Sequence, residues 1–137
     1  MIIADASVVT KWYKPDEQSS EANFLLQEHI AGKETIFAPT LLLYEVTNAM
    51  SVSGSVSHEA LEEAIAALFD IKLQYVHPDE QFLKTAASLS KKTRITIYDA
   101  SYVVLAQMFR CPLITADKKL HDRAKSVIDI RLISSSN

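Results

Sequence analysis

The stretch Met1-Ile2-Ile3-Ala4-Asp5-Ala6-Ser7-Val8-Val9-Thr10-Lys11-Trp12-Tyr13 decides the fold. Ile2-Ile3-Ala4 reads as a short buried strand, because a strand covered on both faces is a continuous apolar run, without the alternation of a half-exposed one. Asp5 ends that run, and residues 6–13 read as a short helix that Pro15 stops. A strand passing into a helix through a single aspartate is the local unit of an α/β protein with a parallel sheet.

The same grammar returns near the other end of the chain. Leu113-Ile114-Thr115 is a strand, Asp117 follows it, and a helix runs from about Lys118 to about Lys125. Between the two, a helix opened by Asp16 or Ser19 reaches about Ala31, where Gly32 is a natural cap. Residues 35–38 form a strand, and Pro39 leads into a helix in which Leu42, Val46 and Ala49 recur until Gly54. Ser57 caps the next helix, with Leu61, Ile65, Leu68 and Phe69 on one face. A strand at 73–76, helices at 79–93 and 98–110, and a last strand within 130–133 complete the series. Strands separated by helices require right-handed crossovers and a parallel sheet covered on both faces.

The 137 residues suit one domain spanning the chain, and 48% hydrophobic with 23% charged residues is the composition of a folded globular protein. Cys111 is alone, so it reads as a small core residue in a reducing compartment. The amino terminus has no basic preface and no run of 18 apolar residues occurs. No signal peptide or membrane span is therefore expected, and the cytoplasm is the expected location. The net charge of −3 argues against nucleic acid only globally, because residues 1–90 carry 13 acids and five bases, whereas residues 91–137 carry four acids and nine bases.

Most of the 17 acids fit solvated helix faces, Glu59, Glu62 and Glu63 among them, but four stand elsewhere. Asp5 and Asp117 follow buried strands, Asp99 opens an apolar helix, and Glu45 interrupts Leu41-Leu42-Leu43-Tyr44-Glu45-Val46. Ligands of open parallel sheets bind beyond the carboxyl ends of the strands, so Asp5 and Asp117 are expected at one crevice, with Asp99 pointing there from its helix start. Helix capping is the competing explanation for the aspartates. It does not reach Glu45, which either faces water or needs a partner.

Carboxylates about 5 Å apart repel by roughly 3 kcal/mol per pair at an effective dielectric near 20. Four of them must take up protons or bind cations, and an all-oxygen set without an adjacent Cys or His favours Mg2+ or Mn2+ over zinc. His29, His58 and His77 lie far off in sequence, and His121 suits a surface position. Ser7 and Thr115 are spaced to orient carboxylates, although capping and strand packing explain them equally well. Asn48 is one turn from Glu45. Such a cluster suits phosphodiester hydrolysis by metal-activated water. A phosphate-cradling glycine loop and a Gly-x-Ser-x-Gly elbow are both absent.

At these residues the chain resembles the PIN-domain ribonucleases, specifically the VapC toxins of VapBC toxin–antitoxin systems. Ile3-Ala4-Asp5-Ala6-Ser7-Val8-Val9-Thr10-Lys11-Trp12 resembles the family's opening strand and first acid, and Pro39-Thr40-Leu41-Leu42-Leu43-Tyr44-Glu45-Val46-Thr47-Asn48 its helix-borne second acid. Thr96-Ile97-Tyr98-Asp99-Ala100-Ser101-Tyr102 and Leu113-Ile114-Thr115-Ala116-Asp117-Lys118-Lys119-Leu120 resemble the third and fourth. The resemblance implies a three-layer α/β/α sandwich with a central parallel sheet, endonucleolytic RNA cleavage with Mg2+ or Mn2+, a homodimer, and a VapB-type antitoxin partner. It implies Asp5 and Asp99 as the main metal ligands, with Glu45 and Asp117 completing the catalytic site directly or through water. Lys11, Lys118 and Lys119 are candidate RNA phosphate contacts, against ordinary solvation.

Two readings of other classes stay open at this point. A receiver-like phospho-acceptor module would need paired acids after the first strand, whereas Ala6 follows Asp5, and an acceptor Asp after the third, where His77-Pro78 stands. A catalytically silent dimer module would bind no metal.

Overall fold

The computed structural model describes residues 1–134; the last three residues of the Ser134-Ser135-Ser136-Asn137 tail lie outside the described residues. Five short strands, β1 (Ile2–Ala4), β2 (Ile36–Pro39), β3 (Gln74–Val76), β4 (Leu113–Thr115) and β5 (Ile130–Leu132), form one sheet in the order β3-β2-β1-β4-β5. Every neighbouring pair is parallel, with Ile3 opposite Phe37 on one side and Leu113 on the other. Successive strand residues point to opposite faces, and all three residues of both β1 and β4 are buried. The middle of the sheet is therefore covered on both faces, as its unbroken apolar runs require.

The connections supply that cover. Helices α1 (Ala6–Val9), α2 (Ser20–Ile30), α3 (Leu41–Ser51) and α4 (His58–Asp70) precede β3, and α5 (Glu80–Thr93) and α6 (Ile97–Phe109) precede β4. A final helix, α7 (Lys118–Ala124), leads to β5. Helix α6 packs on β1, β2 and β4 and is buried without interruption from Ala100 to Ala106, so it reads as apolar all round. The α/β sandwich with a parallel sheet is the expected one.

Several boundaries differ from expectation, each for a local reason. The helix expected over 6–13 breaks into α1 and a 3-10 turn at Thr10–Trp12. Val8, Val9, Thr10 and Lys11 are buried in succession, and the Trp12 indole donates to the Ala22 carbonyl at 2.8 Å, which ties the turn to α2. β2 extends to Pro39, which leads through Thr40 into α3 as expected; α3 starts at Leu41 and ends at Ser51, before Gly54. Its buried repeat is Leu42, Val46 and Met50. Phe69 does not join the inner face of α4, which is carried by Ala64 and Leu68; it is 59% exposed. Gly32 does stand just past α2 with a positive φ of 73°, where the absence of a side chain is useful.

The order in which strands are added reverses at the middle of the sheet. From β1 the chain moves outward through β2 and β3, then returns to the other side for β4 and β5. The switch point lies between β1 and β4, and the crevice beyond their carboxyl ends is where such sheets bind ligands. The chain leaves that crevice through Asp5 on one side and Asp117 on the other.

Candidate active site

Asp5 is both a helix cap and a buried acid. Its carboxylate accepts from the Val8 amide at 3.3 Å, capping α1, and only 4% of the residue is exposed. Ser7 Oγ donates to Oδ1 at 2.5 Å and Thr115 Oγ1 donates to Oδ2 at 2.5 Å. Each hydroxyl has one proton, and both protons go to Asp5. As acceptors, Ser7 Oγ takes the Ala116 amide at 2.8 Å and Thr115 Oγ1 the Asp117 amide at 3.0 Å. The β1–α1 and β4–α7 junctions are thereby stitched together. Burial raises the Asp5 pKa to about 6; the hydrogen bonds from Ser7, Thr115 and Val8 pull it down, and the charge of Asp99 pushes it up.

Glu45 is half-buried in the middle of α3, and the Tyr102 hydroxyl donates to its Oε1 at 2.7 Å. It therefore does not simply face water. Burial lifts its pKa to about 7, the Tyr102 bond lowers it, and the charges of Asp99 and Asp5 raise it again. Asp99 sits in the first turn of α6, whose cap is Thr96, accepting from the Asp99 amide at 3.0 Å. Its pKa is raised, first by burial and then by Asp117. Asp99 is thus coupled by charge to each of the other three acids. Asp117 caps α7 by accepting from the Leu120 amide at 3.1 Å.

The four acids lie near enough to be coupled by charge through Asp99, but they are not a finished cage. Among the described residues no three His, Cys, Asp or Glu side chains gather closely enough to hold a metal ion as they stand. In this arrangement Asp5 and Asp117 each accept from an amide of the helix they cap. The chemistry of the donors nevertheless fits a hard divalent cation. All are oxygens, and Asp5, Glu45 and Asp99 have raised pKa values to which their mutual repulsion contributes, a repulsion that a cation would relieve.

The auxiliary residues separate. Ser7 and Thr115 touch Asp5, whereas Asn48 is exposed on α3. A cleft of about 410 Å3 opens beside the acids, lined by Ser7, Thr10, Lys11, Glu17, Glu45 and Ala116 among others. Lys11 is only 3% exposed, which removes solvation as its explanation. Lys118 and Lys119 are exposed on the first turn of α7, and Lys118 pairs with Asp122 at 2.8 Å. His121 is within 3.2 Å of the same Asp122. Tyr102 is the site residue that sequence reading missed. A tyrosine in an apolar helix reads as core, and its one signal was a spacing of one turn from Asp99.

The PIN domain model matches residues 2–126. Ribonuclease VapC3 of Pyrobaculum aerophilum is 27% identical over 131 residues, covering 93% of this chain and 97% of that protein. Among solved structures, a toxin–antitoxin complex from Klebsiella pneumoniae superimposes with a TM-score of 0.71 at 13% identity, covering 96% of both chains. VapBC2 from Rickettsia felis, bound to a DNA fragment from its promoter, gives 0.71 at 15% identity, covering 98% of this chain and 100% of the other. At those identities the structures speak for the fold. Among the described residues no helix is long and apolar enough to cross a membrane.

Proposed function

The chain belongs to the PIN domain family, and from that premise we propose that it is a Mg2+- or Mn2+-dependent endoribonuclease, the toxin of a type II toxin–antitoxin system. The observation that carries the reading is the charge coupling of Asp99 to Asp5, Glu45 and Asp117 at the switch point of the sheet. Support also comes from the relative named as a ribonuclease and from the folds of the toxin–antitoxin complexes. Family membership removes the receiver-like alternative, and metal titration decides against or for a silent dimer module.

Asp5 and Asp99 would hold the cation, with Glu45 and Asp117 completing the site. A divalent cation supplies, when bound, Lewis acidity toward a phosphodiester and a lowered pKa for attacking water. The protein's own part is orientation and charge. Ser7 and Thr115 donate to both oxygens of Asp5, which holds its carboxylate in one orientation. Lys11 places a cationic side chain in the cleft with Glu45, where a phosphate oxygen would be met. Lys118 and Lys119 would guide the RNA backbone from the basic part of the chain. The partners of this reading are RNA, a VapB-type antitoxin and a second copy of the chain, in the cytoplasm.

Purified protein should cleave RNA with Mg2+ or Mn2+ and fall silent in EDTA. Asp5→Asn and Asp99→Asn should lose cleavage while remaining folded. Cutting that needs no metal and survives both substitutions would overturn the mechanism.

A further inference from the structure

We propose that Tyr102 is a positioning residue for Glu45, an inference that rests on the function proposed above. Tyr102 is 1% exposed, and its hydroxyl donates to Glu45 Oε1 at 2.7 Å across 57 positions of sequence. It stands one turn past Asp99 on α6, so a single side chain ties the helix that carries Asp99 to the helix that carries Glu45. Burial alone does not force such a bond in this protein. The hydroxyls of Tyr13 and Tyr75 are buried and find no hydrogen-bond partner among the described residues.

The chemical type of the donor matters. Glu45 lies inside a helix, on a long side chain with several rotamers, and something must hold it if it is to serve the cluster. An arginine or lysine would hold it by cancelling its charge. A phenol holds it and leaves the charge in place. Asp5 is held in the same manner, by the hydroxyls of Ser7 and Thr115. Asp5 and Glu45 are therefore both oriented by neutral donors, which leave their negative charge for a cation.

Tyr102→Phe keeps the ring and deletes only the hydroxyl. Mn2+ affinity, measured by calorimetry without RNA, should fall about tenfold, as is typical when a partner of a ligand is removed. With RNA, kcat should fall by a similar factor with KM unchanged, and near-ultraviolet circular dichroism should match the parent. Ser101→Ala removes the neighbouring buried hydroxyl, which donates only to the Ile97 carbonyl of its own helix at 2.9 Å, and should change neither quantity. In a Glu45→Ala background, Tyr102→Phe should cost no further Mn2+ affinity. Wild-type Mn2+ affinity in Tyr102→Phe, or an additive loss in the double variant, overturns the role of Tyr102 alone. A parent protein that binds no Mn2+ overturns the proposed function with it.

Discussion

The β1–α1 and β4–α7 junctions follow one plan and end in different surroundings. In both, an apolar strand meets an aspartate that caps the next helix, through the Val8 amide in one and the Leu120 amide in the other. Asp5 is buried and receives two further hydroxyl bonds, whereas Asp117 is half-buried and has its cap. Capping and chemistry are therefore not rival explanations of an aspartate. The cap fixes where the carboxylate is, and the depth of the position decides what its charge costs. The two Asp-Ala-Ser stretches teach the same point. Ser7 donates to Asp5, while Ser101, in the same place relative to Asp99, is taken by the Ile97 carbonyl inside α6.

Substituting asparagine at both junctions breaks the comparison most directly, since asparagine caps as well as aspartate and lacks the charge. Asp5→Asn should lower RNA cleavage by roughly a thousandfold or more, beyond the 10–100-fold of a supporting residue. Asp117→Asn should cost less. Equal losses at both positions would show that burial does not rank them.

Stability should move the other way at Asp5. Its pKa rises from 3.8 to about 6 in the fold, so the native state binds the proton more tightly than the unfolded chain. Ionised Asp5 therefore destabilises the metal-free protein. The cost is absent below about pH 4, grows as the pH rises toward 6, and is full above it, at about 3 kcal/mol. In EDTA, the thermal midpoint of Asp5→Asn relative to the parent should be roughly 5–10 °C higher at pH 7.5 than near pH 4, because the loss of one hydroxyl bond that the side-chain NH2 cannot accept weighs equally at both. A gain of the same size at both pH values would mean that charge burial is not its source.

Thr115→Val tests whether the junctions act together. The lost hydroxyl leaves Asp5 Oδ2 without its donor and the Asp117 amide without its acceptor. Cleavage should fall about 10–100-fold and stability by about 1–3 kcal/mol. Denaturant titration and single-turnover kinetics give the two numbers; parental values in both would uncouple the junctions.

How much of this was legible in the sequence follows from what is local. The strand, aspartate and helix of each junction lie within a dozen residues, and Glu45 stood out because a carboxylate interrupted an apolar run. The burial of Lys11 is not legible, because residues 6–13 have the pattern of one regular helix. The 3-10 turn at Thr10–Trp12 alters which way its side chains face. The bond from Tyr102 to Glu45 joins positions whose proximity is set only by how α3 and α6 cross the sheet. Pairings of that kind have no sequence period to betray them.

Lys118 and Lys119 give the smallest expected effect, and they extend the comparison from the acids to the cations at the same two junctions. Lys11 follows Asp5 by six residues and is buried, whereas Lys118 follows Asp117 directly and is exposed, paired with Asp122 one turn on. An exposed pair of this kind contributes little to stability, so Lys118→Ala should leave the denaturation midpoint close to that of the parent. Its contact with RNA, being electrostatic and solvent-exposed, should weaken as counterions compete. Alanine at both 118 and 119 should therefore raise KM for RNA a few-fold at low salt with kcat unchanged, and the difference should shrink as salt increases. A KM that ignores both lysines at every ionic strength would leave Lys11 as the cation that meets the phosphate.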